Sequence, residues 1–195
     1  SEADLLPFEF KSFGEHLGGI ITEINRLLDE MRVETERGNR LIQQNVYKLA
    51  PDPKLVFVPP MPREPVPDLD FSPIEDALAR LIDSIREYNA AEESFLKSGR
   101  VLPQPEKEKL NRILFQAERT LTRTEGLPRR EWFKHFVYAP GFYTGYGVKT
   151  LPGVREAVEG RRWEEARAQI PLAAEVLAAF TDRVDLASRL LRSAV

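Results

Sequence analysis

Apolar residues recur at three- and four-residue intervals in four long stretches of this chain, the period of a helix with one buried face. Leu17, Ile20, Ile21, Ile24, Leu27, Leu28 and Met31 predict a first helix from about Phe13 into the charged stretch near Arg40. Ser72-Pro73-Ile74-Glu75 reads as the start of a second, with Ser as N-cap, Pro at the first helical position and Glu closing a capping box. Its apolar face is Ile74, Leu78, Leu81, Ile85, Tyr88 and Phe95, and Ser98-Gly99 stops it. Pro103 and Pro105 precede a third helix with the face Leu110, Ile113, Leu114, Ala117 and Leu121, ended by Gly126-Leu127-Pro128. Pro152 opens a short helix through Glu159, closed by Gly160. A last long one carries Trp163, Ala166, Ile170, Ala173, Leu177, Phe180 and Val184, with a kink expected at Pro171. The pattern predicts an all-α fold, a four-helix bundle with two long connections.

Both connections depart from helical composition. Eight of the fifteen prolines lie between Pro51 and Pro73, and proline lacks the amide that a helix interior needs, so this segment reads as an extended excursion. Its Leu55 to Val58 run fits either a brief edge strand or a stretch packed over the bundle. Residues 137–153, VYAPGFYTGYGVKTLPG, hold four glycines, three tyrosines and a phenylalanine. Gly141, Gly145 and Gly147 permit positive φ or close backbone approach, and Tyr143 and Tyr146 offer hydroxyls on rigid rings. Such a loop lines a binding site, or else folds its aromatics back on the bundle.

Composition narrows the chemistry. At 195 residues, 42% hydrophobic and 30% charged, the chain is about one ordinary domain. A net charge of -3 with no block of like charges gives no footprint for nucleic acid. No apolar run spans a bilayer and no targeting signal opens the chain, whose Ser-Glu-Ala-Asp start suggests a cut piece. Without cysteine, thiolate chemistry is excluded. The two histidines, His16 and His135, are far apart in sequence and no HExxH cluster occurs, so no zinc site is expected within the chain. His16 reads as a surface or capping residue and His135 as a core or hydrogen-bonding one. Carboxylate pairs such as Glu92-Glu93 and Glu164-Glu165 read as solvated helix faces. No catalytic residue is expected.

Gly126-Leu127-Pro128, then Trp132-Phe133-Lys134-His135-Phe136-Val137-Tyr138-Ala139-Pro140, then Tyr146 and Leu151-Pro152-Gly153, resemble in order and spacing the C-terminal domain of the glutamate carboxypeptidase II family. The likeness extends to Leu6-Pro7-Phe8, the helices from Phe71 and Leu110, and Trp163 with Gln169-Ile170 and Ala173-Ala174. Residues 36 to 68 look like an enlarged connection.

The resemblance implies a single helical dimerisation domain over 1–195, a fragment of a larger protein, with a Pro-rich insertion at 41–71. It implies a homodimer, a peptidase domain holding two zinc ions, an apical domain, and a cleft for the C-terminal residue of a peptide, which this chain completes. Tyr146, with Gly145 and Gly147 beside it, falls where the family's Lys-Tyr pair binds a substrate carboxylate. The Lys position is Gly145, which puts strict glutamate specificity in question; Lys149 is a nearby replacement cation. Members are often anchored or exported, so an extracytoplasmic parent is expected. The competing reading is a transferrin-receptor-like binding module without metals, with Tyr146 favouring the enzyme.

Overall fold

A computed structural model describes residues 8–48, 58, 60–145 and 147–194. Five α-helices dominate those residues: α1 Lys11–Gln43, α2 Ser72–Ser98, α3 Gln104–Ala117, α4 Pro152–Glu159 and α5 Trp163–Ser193. The expected helical bundle is present, with one addition. Tyr138–Pro140 (β1) and Val148–Thr150 (β2) form a small antiparallel hairpin, Tyr138 opposite Thr150 and Pro140 opposite Val148.

The chain divides into two compact units, one joining residues up to Ile21 with those from Leu69 onward, the other spanning Thr22–Asp68. In the first, α2 and α5 bury matching stripes. Ile74, Leu78, Leu81, Ile85 and Tyr88 come from α2, and Ile170, Ala173, Leu177, Phe180 and Val184 from α5. Leu110, Ile113, Leu114 and Ala117 of α3 are buried as the periodicity predicts. α1 starts two residues earlier than its apolar pattern indicates because the Glu9 carboxylate accepts the Lys11 and Ser12 amides at 2.5 and 3.2 Å, satisfying first-turn donors. Gly14 lets α1 lie close to α2, since a Cβ there would stand 3.1 Å from Ile85 Cδ1.

Several helix ends differ from expectation. The capping box at Ser72 does not form: Phe71 is the N-cap residue, and the Ser72 amide donates to Asp70 Oδ1 at 3.0 Å. With Pro73 supplying no amide, the Phe71 carbonyl closes the turn by accepting from Ile74 and Glu75. Pro105 lies inside the first turn of α3 rather than before it, where a missing amide costs nothing. That helix tightens after Ala117 into a 3-10 turn, Glu118–Leu121, well short of Gly126. α5 runs through Pro171 as one element. Gly99, at φ +65°, ends α2 as predicted.

In the second unit the described part of the Pro-rich excursion returns alongside α1. Asn39 and the Arg63 backbone exchange two hydrogen bonds at 2.8 and 2.9 Å, and Arg32 reaches Asp68 and the Pro67 carbonyl at 2.9 and 3.2 Å. Side chains thus serve backbone groups that have no ladder partner. Leu55 to Phe57 lie outside the described residues; Val58 is exposed.

Candidate functional site

The Gly/Tyr-rich stretch stands on a foundation built by the Gly126-Leu127-Pro128 segment and α4. After Leu121 the chain runs out and folds back on itself: Arg123 N donates to Lys134 O at 3.0 Å, Leu127 N to Phe133 O at 2.9 Å and Phe136 N to Leu121 O at 2.9 Å. Gly126 makes the fold-back possible, with φ +72° and the Glu131 carbonyl occupying the space a Cβ would need. The turn delivers Arg130 to the interior. Its guanidinium donates to Glu156 Oε1 at 2.6 Å and to the Pro140 carbonyl, and both charged side chains are almost fully withdrawn from solvent, at 3% and 5% exposure. The same Glu156 oxygen accepts the Phe142 amide at 2.9 Å.

One buried ion pair therefore links the turn, the end of β1, the first tip residue and α4. A buried charge needs such partners to be tolerated, and of the guanidinium nitrogens only Nε finds none among the described residues. Leu151 N closes onto Val137 O at 2.8 Å. Gly153 sits where any side chain would meet Gln169 of α5.

Above this base the neck is closed by Gly141 N donating to Gly147 O at 2.7 Å. A Cβ on Gly141 would collide with Thr144 Oγ1, so any side chain here would have to displace that hydroxyl. Gly145 has φ +64° with no described residue but its chain neighbours close to it, and a Cβ on Gly147 would stand 3.2 Å from Thr144 Oγ1. Tyr146 lies outside the described residues. The described tip aromatics do not fold back: Phe142 is 41% and Tyr143 75% exposed, their rings edge-to-face at 4.9 Å. Tyr138 does pack, stacked between His16 and His135 at centroid distances of 6.0 and 5.7 Å.

The cations around the hairpin are engaged. Arg129 lies 5.5 Å over the Phe142 ring and grips both oxygens of Glu165, at 2.5 and 3.0 Å. Burial works against the charge on Glu165, but hydrogen bonds from Arg129 and Arg162 outweigh it and hold its carboxyl below the usual range. Glu165 is thus more than the solvated helix charge expected of it. Lys149, the nearby replacement cation, places Nζ 2.6 Å from Glu159. His135 is a hydrogen-bonding histidine, its Nδ1 accepting the Val137 and Tyr138 amides at 3.2 and 3.0 Å. Burial pushes its pKa down against a weaker opposing pull from Glu118.

Arg130 and Glu156 were not singled out from the sequence. The available signal was a glutamate among Val154, Ala157 and Val158, in a helix whose other residues are mostly buried. Among the described residues no group of three His, Asp or Glu side chains comes together to hold a metal, and no helix is long and apolar enough to cross a membrane.

The pattern described as the transferrin receptor-like dimerisation domain matches residues 69–185, from the entry to α2 through most of α5, with the whole hairpin inside it. The chain belongs to this family. Similar proteins include a probable glutamate carboxypeptidase from Arabidopsis thaliana, 35% identical over 101 residues, or 48% of this chain and 15% of that protein. A probable glutamate carboxypeptidase from Arthroderma benhamiae is 36% identical over 93 residues, covering 48% and 12%. An inactive zinc metalloprotease from Schizosaccharomyces pombe is 30% identical over 89 residues, covering 46% and 11%. The chain thus matches less than a sixth of the length of these relatives.

Proposed function

We propose that this chain is the C-terminal helical domain of a zinc-dependent carboxypeptidase, a single domain over 1–195 with its Pro-rich insertion at 41–71. In this reading it mediates homodimerisation and closes one side of the substrate cleft. The observation that carries the reading is a family-matched hairpin whose solvent-facing aromatic tip is held on a buried ionic base, the arrangement a pocket wall needs. The described residues offer no donor set for zinc, so both ions would be held by the peptidase domain of the parent.

The substrate contact is assigned to Tyr146, whose phenol donates one hydrogen bond to a C-terminal carboxylate, with Gly145 and Gly147 giving the chain room to approach. Gly145 supplies no cation, Lys149 is paired with Glu159 and Arg129 with Glu165. A charge-assisted bond is roughly twice as strong as a neutral one. The parent therefore accepts less acidic C-terminal residues than a strict glutamate carboxypeptidase. An extracytoplasmic location completes the proposal.

The test is the full-length protein, assayed with zinc on peptides ending in Glu and in Leu and weighed by analytical ultracentrifugation. Turnover of both peptides by a dimer supports the reading. A strong preference for Glu counts against the neutral pocket, and a monomer counts against the dimer role. A second reading, a non-catalytic protein-binding and dimerisation module, is favoured by the relative named an inactive zinc metalloprotease. No turnover of any peptide by a zinc-loaded dimer would select it.

A further inference from the structure

A groove of about 390 Å3 between α2 and α5 carries charges that the bundle does not use. Its buried lining residues are small, Ala77 and Ser84 from α2 and Thr181 from α5, so another helix can approach closely. Four charged residues of α5 also line it: Asp182, Asp185, Arg189 and Arg192. Their spacing of three, four and three residues keeps them on one helix face. Among the described residues Asp182, Asp185 and Arg189 have no ion-pair partner. Arg192 reaches Glu87 at 3.0 Å with half of its side chain still exposed.

The order of these charges selects the partner. Both acids precede both bases, and opposite signs stand at equal distances from Ala187: Asp185 and Arg189 two residues away, Asp182 and Arg192 five. When a second α5 lies antiparallel across the first, about a two-fold axis beside Ala187, Asp185 of each copy faces Arg189 of the other and Asp182 faces Arg192. Symmetry makes each contact twice. A parallel copy in register would set every charge against its own like. A four-residue slip of the antiparallel copy would oppose Asp185 to Asp185 or Arg189 to Arg189. Exposed ion pairs add little energy, so their work here is to exclude wrong registers.

We propose that this groove is the face on which a second copy of the chain docks, α5 against α5, antiparallel, with the acids of each copy on the arginines of the other. The inference rests on the homodimerisation proposed above and names the surface and register that serve it.

Association of the full-length protein is measured by analytical ultracentrifugation. Asp182→Lys/Asp185→Lys sets lysines against arginines across the axis, and Arg189→Glu/Arg192→Glu sets glutamates against aspartates. Each double variant should weaken the homodimer about 100-fold. Mixed together the two should form a heterodimer, because all the contacts between them are again of opposite sign. The protein with all four replacements should recover the homodimer, which a merely misfolded variant would not do. Homodimers of unaltered strength from both double variants would place the contact on another face, overturning the proposal while leaving homodimerisation standing. Monomeric variants that neither combine nor recover would overturn the proposal as well. A monomeric unaltered protein would overturn both readings.

Discussion

Arg130 and Glu156 meet at 2.6 Å, and the carboxylate oxygen that receives the guanidinium also receives the backbone amide of Phe142. The charge pair thus holds the first residue of the hairpin tip as well as the helix below it. Glu156→Ala leaves Arg130 buried with only the Pro140 carbonyl and should cost about 3–5 kcal/mol in urea unfolding. The double replacement Arg130→Met/Glu156→Leu removes both charges and should fall much closer to the unaltered chain. In both variants hydrogen exchange at the Phe142 amide should accelerate. Equal losses for the single and double variants would mean that packing rather than charge pairing dominates here.

Two left-handed glycines offer an internal comparison. Gly99 and Gly126 have φ +65° and +72°, but space is open beside Gly99 while the Glu131 carbonyl blocks Gly126. Gly99→Ala should lose about 1–2 kcal/mol, the ordinary left-handed penalty. Gly126→Ala should lose more, because the fold-back carrying Arg130 must shift. Denaturation midpoints of the two variants separate strain from collision.

The depressed pKa of His135 has a defined consequence for stability. The unfolded imidazole titrates near about 6.5. As pH falls below that value the unfolded chain binds a proton that the folded chain resists, so stability declines with falling pH until the lower folded pKa is passed. His135→Asn retains an acceptor for the Val137 and Tyr138 amides and removes this titration. Between pH 7.5 and 5.5 it should lose less stability than the unaltered chain; parallel losses would assign the acid sensitivity to other groups.

Gly145→Lys restores the cation that the family resemblance places at this position. At φ +64° a lysine pays about 1–2 kcal/mol of backbone strain. Among the described residues other than its chain neighbours, no atom lies within 4 Å of where its Cβ would stand. In the full-length protein it should shift the ratio of kcat/KM for Glu-ended over Leu-ended peptides toward Glu by about tenfold, roughly 1.4 kcal/mol. An unchanged ratio would remove residue 145 from the substrate pocket.

Helix existence and buried faces were legible in the sequence because apolar spacing reports them directly: Ile74 to Tyr88 and Ala166 to Val184 are buried as their period predicts. Helix ends were less legible. Glu9 and Asp70 act through side-chain bonds to amides two and three residues on, which shift the helix starts away from Phe13 and from a capping box at Ser72. The hairpin was hidden because its strands are only 3 residues each, shorter than any alternation that can be recognised. Gly145 could be flagged from sequence as a residue free to adopt positive φ. Arg130 and Glu156 could not be paired, since 26 residues separate them and only the fold-back at Gly126 brings them together.

The neck between Gly141 and Gly147 insulates what lies above it from what lies below. The hydrogen bonds that register the hairpin fall on backbone groups, and the buried charges that anchor it sit in other segments. Substitutions at Tyr143 and Thr144, beyond the Phe142 ring that Arg129 and Arg130 cover, can therefore accumulate without retooling the bundle, provided the backbone can still close at Gly141 and Gly147. Natural variation confined to those positions would remodel the exposed tip within a lineage while the scaffold beneath stays under unchanged selection.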